Sequence, residues 1–329
     1  MITSFFAINA ISILLAVIID WIIGDPIWFP HPIIYIGKLI AFLDKKGRKL
    51  CKTDKGIKAF GGFIVITVAA ITFIIPFAIL MLVKQITWLY IVLNVLIIWT
   101  TLAAKCLSEE AKKVYYALRN KDLDDARIKL SYIVGRDTKE LTDKEIIRAD
   151  VETVAENTAD GIIAPLFYAI IGGAPLAMMY KGINTMDSML GYMNEKYRHI
   201  GFFPAKVDDV FNFIPARVTG LLICMVSFVV KGNIFTSFKI MIRDRKNHKS
   251  PNCAYPEGAA AGAMGVQLGG TNVYFGEVVY KPTIGDKVKE LSFEHINDSI
   301  KLMYAAEALM MVLYLIVFWV INVLPYSCF

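Results

Sequence analysis

The run from Phe60 to Val83, FGGFIVITVAAITFIIPFAILMLV, carries no charged residue, and it is long enough to cross the roughly 30 Å hydrocarbon core of a bilayer as one helix. That stretch excludes most soluble folds. A chain that places it in lipid must satisfy its backbone polar groups internally, which leaves helices and closed barrels as spanning structures. Pro76 marks a kink within the run. Composition points the same way: 56% of the 329 residues are apolar and 19% charged, against about 25% charged in an ordinary soluble domain, and mean hydropathy is +0.53. The expected fold is all-α, a polytopic integral membrane protein.

Further candidate spans are Ile8 to Ile23, interrupted only by Asp20, and Trp88 to Ala104. Later come Ile162 to Tyr180, Val210 to Val230 with Asn212 and Arg217 inside it, and Tyr304 to Leu324. The total is five or six transmembrane or re-entrant helices. Glycines and prolines in GIIAPLFYAIIGGAPLA suit a broken or re-entrant segment over 162–180. The N-terminus lacks a basic n-region and a small-x-small cleavage site, so it reads as a retained anchor.

Loop charge assigns the sides. Lys45, Lys46, Arg48, Lys49, Lys52, Lys55 and Lys58 crowd one connection, an excess that stays on the cytoplasmic face. Two crossings later, 105–160 returns there as a cytoplasmic helical segment, with amphipathic surface helices over Leu107 to Leu118 and Asp124 to Ile133. A second cytoplasmic segment, basic and rich in Gly and Ala, covers 231–301; Gly258, Gly262, Gly265 and Gly269 form a stripe suited to close helix packing. Residues 1–329 thus read as a single membrane domain with these two elaborations. The net charge of +6 is spread between apolar runs and accompanies no nucleic-acid motif, which favours contact with anionic membrane lipid over nucleic acid. Cys51, Cys106, Cys224, Cys253 and Cys328 show no CxxC pairing and are expected as free thiols.

Several polar clusters interrupt this apolar background. In VETVAENTADGIIAPLF, Glu152, Glu156 and Asp160 recur every four residues, on neighbouring positions of one helical face, where their repulsion calls for a cation, a base or solvent. Such oxygen donors suit Mg2+ with retained waters and a substrate phosphate; a solvated face paired with Arg148 is the plainer alternative. In DWIIGDPIWFPHP, Asp20 ends an apolar run, and Asp25 and His31 offer proton transfer or phosphate orientation. The same letters also suit a Pro-shaped exit from the membrane. Asn184 and Asp187, with Lys181 one turn earlier, make either a metal and phosphate cradle or a cap and ordinary ion pair. Arg217 either neutralises an anion or snorkels to the interface. Finally Arg243, Arg245, Lys246, His248 and Lys249 precede Ser250, Asn252 and Glu257: a polyanion site, or a positive-inside loop without a P-loop pattern.

Taken together, GDPxxxPHPI, YYAL, SYIVGRDT, ETVAENTADGIIAPLF, GGAPLAMMYKGINTMDSMLGY, DDVFNFIPARVT and RDRKNHKSPNCAYPEGAAAGAMGVQLGG closely resemble the adenosylcobinamide-phosphate synthase family of cobalamin biosynthesis. The resemblance runs from about Asp20 to Phe275. It departs at SPNCAYPE, where Ala254 stands in place of a glycine common in the family. The resemblance implies a membrane enzyme that joins the propionate of adenosylcobyric acid to aminopropanol or its O-phosphate through an amide bond, using ATP and Mg2+. By analogy with ATP-dependent amide formation, an acyl phosphate would activate the propionate. On that reading Glu152, Glu156, Asp160 and Asp187 serve the metal, with Glu152 and Asp160 also catalytic. Asn184, Arg243, Lys246, His248, Lys249, Ser250, Asn252 and Glu257 serve ATP or the other anionic substrates, and Asp25 or His31 accepts the proton of the attacking ammonium. A homo-oligomer, or association with other cobalamin-assembly enzymes, is compatible with it. The rival classes are a transporter of corrinoids or metal ions and a noncatalytic scaffold for cobalamin enzymes.

Overall fold

The computed structural model describes the backbone of residues 2–26, 28–192, 194–274 and 277–322, and side chains over 6–26, 28–192, 194–271 and 280–321. Cys328 lies outside the described residues; Cys51, Cys106, Cys224 and Cys253 form no disulfide. Five helical stretches are long and apolar enough to cross a membrane, over Phe6–Ile23, Asp54–Val83, Thr87–Arg119, Asp143–Leu190 and Glu294–Ile321. The chain is a multi-pass membrane protein. The expected run over Val210 to Val230 is divided: its main helix, Phe213–Met225, has 13 residues, short of the roughly 20 a span requires.

Where the sequence predicts one domain, the chain divides into two compact units, each assembled from separated segments. The first comprises Met1–Ala103, Ala164–Asn212 and Tyr314–Phe329. It holds α1 (Ile2–Ile23), α2 (Pro32–Leu50), α3 (Asp54–Val83), α4 (Thr87–Trp99), α8 (Ala164–Leu190), α9 (Phe202–Phe211) and the end of α13 (Glu294–Asn322). Helix α2 begins where His31 caps it and Pro32 supplies a preset φ. Its buried positions Ile36, Ile40, Leu43 and Gly47 follow helical spacing and meet Ile64, Val65 and Val68 of α3 and Ile183, Met186 and Leu190 of α8. The other face of α3 exposes Ile66 (71%) and Leu82 (84%), as a lipid-facing surface does.

Helix α8 is broken at Gly172 and Gly173, the latter at φ +67° and ψ −164°, a conformation open to glycine and costly to other residues. Pro175 follows and withholds another helical donor. Asn9 braces the segment just before the break: its Nδ2 donates to the Ala169 carbonyl at 3.1 Å. The interruption expected from the sequence is therefore present as a kink braced by a side-chain amide.

The second unit comprises Ala104–Ile163 and Phe213–Leu313. It contains α5 (Ala104–Arg119), α6 (Leu123–Ser131), α7 (Asp143–Thr158), a π-helical turn (Ala159–Ile163), α10 (Phe213–Met225), a 3-10 turn (Ser227–Val230), α11 (Ile234–Asp244), α12 (Ala254–Met264) and the start of α13. Helices α5 and α6 lie close to the amphipathic stretches anticipated. Among the described residues, the departure from an all-α fold is one antiparallel hairpin, β1 (Leu268–Tyr274) and β2 (Glu277–Ile284), with a register shift between Leu268 and Gly270. Two members of the glycine stripe serve packing: a Cβ on Gly258 would stand 3.1 Å from Met241 Cα, and one on Gly262 would stand 2.7 Å from Ser237 Cα. Gly265 instead ends α12 at φ +72°, and Gly269 lies in β1 at φ +78°.

Candidate active site

A capping box starts α7: Thr142 accepts from the Glu145 amide while Glu145 accepts from Thr142. The helix then buries Glu152 (2% exposed) and leaves Glu156 partly accessible, before the chain widens into the π-turn that carries Asp160. Single π-turns interrupt helices frequently at functional sites. The charge that the four-residue spacing calls for comes from the segment after α6: Arg136 Nη2 donates to Glu152 Oε2 at 2.6 Å, with the two side chains 6% and 2% exposed. The Gly269 amide of β1 donates to the other oxygen at 2.8 Å. Arg148 Nε stands 3.8 Å from it.

The loop before α12 completes the cluster. Ser250 N–H donates to His248 Nδ1 at 3.0 Å and Asn252 N–H to Ser250 Oγ at 3.3 Å, so this segment braces itself. Lys281 Nζ of β2 lies 3.1 Å from His248 Nε2. Burial, and then Lys281, push His248 below its ordinary value. Cys253 donates its thiol to Glu156 Oε1 at 3.0 Å, and burial followed by Glu156, Asp160 and Glu257 pushes that thiol well up. Glu257, in the first turn of α12, is 2% exposed, and its Oε1 has no hydrogen-bond partner among the described residues. Burial, then the Glu152 charge, drives its carboxyl well above the usual range. Arg217 donates to Asn252 Oδ1 at 3.2 Å and lies over the rings of Phe213 and Tyr255, at 3.5 and 4.3 Å from their centres. That is an anchoring role for a cation inside an apolar run.

The second unit thus gathers Glu152, Glu156, Asp160, His248, Ser250, Asn252 and Glu257. Arg243 is engaged elsewhere, bidentate to Asp244 at 2.8 Å on each arm and paired with Asp286 at 2.9 Å. Lys246 and Lys249 are exposed. Sequence reasoning passed over Arg136 and Lys281 and read Gly269 only as part of a packing stripe. Arg136 was within reach, inside the SYIVGRDT motif; Lys281 and Gly269 become partners only through the hairpin, which the sequence reading missed. Among the described residues, no three His, Cys, Asp or Glu side chains form a ready metal-ligand group.

The first unit has a separate polar cluster. Asp208, 7% exposed, accepts from Asn212 Nδ2 at 2.9 Å and from Asn184 Nδ2 at 3.4 Å. Tyr180 donates to Asn212 Oδ1 at 2.7 Å. Burial, and then nearby Asp187, raise Asp208 to about 7. Asn184 and Asp187 therefore sit about an unpredicted carboxylate. In the same unit His31 Nδ1 accepts from the Ile33 amide at 3.3 Å, capping α2, while its Nε2 is 3.5 Å from Asp25.

A multi-pass helical membrane protein with a buried cluster of opposed charges at helix ends and a hairpin is the class this architecture defines. The family model described as CobD/Cbib protein matches residues 13–303. Relatives include the cobalamin biosynthesis protein CobD of Clostridium tetani, 69% identical over 92% of this chain and 96% of its own. That of Clostridium acetobutylicum is 67% identical over 93% and 98%, and CbiB of Salmonella typhi 47% identical over 92% and 95%. No solved structure matches the chain. The chain belongs to the CobD/CbiB family of cobalamin biosynthesis proteins. The family's activity is ATP-dependent amide-bond formation between adenosylcobyric acid and aminopropanol or its phosphate.

Proposed function

We propose that the buried cluster of the second unit is where this ligase activates the corrin propionate. A free carboxylate is a poor acyl donor. Transfer of the terminal phosphoryl group of ATP to a propionate oxygen, with release of ADP, gives an acyl phosphate, and attack by the neutral amine forms the amide and expels phosphate. Those steps bring several negative charges together, and the site meets them with Arg136, Lys281 and the neighbouring Arg148. The observation that carries the assignment is Glu257: a fully buried carboxyl with an unsatisfied oxygen beside Glu152 and Glu156 has no structural use for that atom.

The donor set also suits Mg2+. That ion keeps several waters and takes only one or two protein carboxylates with substrate phosphate, so a ready three-ligand group is unnecessary. Glu152 is occupied by Arg136 and Gly269; Glu156 and Asp160, with Glu257 near them, would hold the ion. When bound, Mg2+ supplies charge compensation for the phosphoryl group. His248, held neutral by burial and Lys281, is the side chain we assign to receiving a proton from the attacking ammonium. Glu152 is a positioning residue that fixes Arg136 and the β1 backbone. The excess of Lys and Arg between the early spans supports a cytoplasmic side for 105–160, where ATP is available.

The test is detection by mass spectrometry of a new amide made by the purified protein from adenosylcobyric acid, ATP, Mg2+ and either aminopropanol or its O-phosphate. Omitting ATP or Mg2+ should abolish the product. Movement of corrinoid into sealed vesicles without a new covalent product would favour transport and sink the proposal. The two amines, compared directly, decide between free and phosphorylated substrate.

A further inference from the structure

The second unit carries a cleft of about 250 Å3, lined in part by Arg148 and Gly269 of the cluster above. Its floor is Gly269 and Gly270, both in left-handed backbone at φ +78° and +93°. A Cβ on Gly270 would lie 2.9 Å from Arg148 Nη1, so the missing side chain is what lets the guanidinium settle over the strand. There Arg148 Nη2 donates to the Thr271 carbonyl at 2.7 Å. Lys144, from the first turn of α7, and Lys287 and Lys289, after β2, also line it.

A single carboxylate holds lysines from both segments. Glu290 lies 2.8 Å from Lys144 Nζ and 2.8 Å from Lys287 Nζ, with all three side chains 58–62% exposed. Ion pairs this exposed contribute little in water, so the carboxylate is readily exchanged for a stronger anion. The acidic lining residue Glu145 is turned to its own cap at Thr142. Lys144, Arg148, Lys287 and Lys289 therefore leave a surplus of positive charge facing the cleft. The floor also touches the chemistry, because Gly269 donates its amide to Glu152.

We infer that this cleft receives the linked phosphates of a nucleoside triphosphate, with Glu290 bridging Lys144 and Lys287 until a phosphate displaces it. Four cations from two segments, Lys144 and Arg148 of α7 and Lys287 and Lys289 after β2, match a chain of phosphates better than a single one. The inference rests on the ATP-dependent reading above and gives that reading a nucleotide site.

The experiment is calorimetric titration of the purified protein, in neutral-detergent micelles without divalent ions, with inorganic tripolyphosphate. The wild-type protein should bind, more weakly as salt rises. Lys144→Gln and Lys287→Gln should each lose about tenfold in affinity, while Lys144→Arg keeps it. Glu290→Gln should gain roughly threefold, and Asp124→Asn, the same charge change at a carboxylate 88% exposed on α6, should not. ATP should displace tripolyphosphate; O-phosphoethanolamine and inorganic phosphate should displace it poorly. Absence of binding, equal affinity in the lysine variants, or Glu290→Gln matching Asp124→Asn overturns the inference. So does displacement by micellar phosphatidylglycerol or by single phosphates as effective as that by ATP, which would assign the cleft to a headgroup or monophosphate. Unchanged melting temperatures certify the variants. Amide formation without ATP would instead refute the reading on which the inference rests, whereas ATP-dependent synthesis with unaltered tripolyphosphate binding in Lys144→Gln and Lys287→Gln refutes the inference alone.

Discussion

Removing one member of the Arg136–Glu152 pair should cost far more than removing both. The two side chains are 6% and 2% exposed and meet at 2.6 Å, so Arg136→Met strands a carboxylate where water cannot reach it. Breaking such a pair costs about 3–5 kcal/mol. Glu152→Gln instead takes from the buried guanidinium its carboxylate partner at 2.6 Å, for a similar loss. In Arg136→Met/Glu152→Met neither member of the pair is left facing the other's absence; the loss there is the acceptor for the Gly269 amide, bonded at 2.8 Å, at about 1–3 kcal/mol, together with the longer 3.8 Å contact to Arg148. The singles sum to roughly 6–10 kcal/mol, so the cycle should show a coupling of several kcal/mol, well above the roughly 0.5 kcal/mol scatter of independent sites. Thermal unfolding in detergent, followed by tryptophan fluorescence, ranks the variants, with the double above either single. Additive losses, or a double mutant below both singles, would refute the pairing. The same series tests the role of Glu152, because a metal ligand predicts lost turnover in Glu152→Gln at an unchanged melting temperature, and a positioning residue predicts that both fall.

Glu156→Gln and Asp160→Asn should leave membrane insertion and melting temperature near wild type while lowering amide formation roughly tenfold or more at limiting Mg2+; full turnover in both variants would remove them from the metal site. Asp208, at about 7 in the folded chain against 3.8 when unfolded, retains its proton longer in the native state, so stability should fall by about 1.4 kcal/mol per pH unit as pH rises from about 4 to 7 and then level off. Melting temperatures across that range should show the slope in the wild type, and Asp208→Asn should flatten it. Gly262→Ala places a methyl 2.7 Å from Ser237 Cα and should destabilise the α11–α12 contact by about 1–3 kcal/mol, visible as faster proteolysis of the second unit.

How much of this was legible in the sequence follows from the range of the physics involved. The long apolar runs at α1, α3 and α13 and the amphipathic α5 are local, since each can be read from composition and spacing within one window. The break at Gly172–Gly173 was legible for the same reason, although the Asn9 amide that braces the helix before it comes from a distant segment. Val210 to Val230 misled because hydropathy sums over a window and does not register that Asn212 ends α9 and is held by Asp208. The spacing of Glu152, Glu156 and Asp160 did announce that a partner was required, but not which one. An arginine sixteen residues earlier and a glycine amide in a hairpin answer the call, and sequence gives no measure of either distance. The hairpin was hidden because LGGTNVY is glycine-rich and weakly alternating, and its strand character depends on pairing with EVVYKPTI. That one missed element also concealed Lys281 and the glycine floor of the phosphate cleft. Chemistry at this site is therefore a property of segments meeting, with local patterns supplying the charges and the tertiary fold deciding which of them remain available to a substrate.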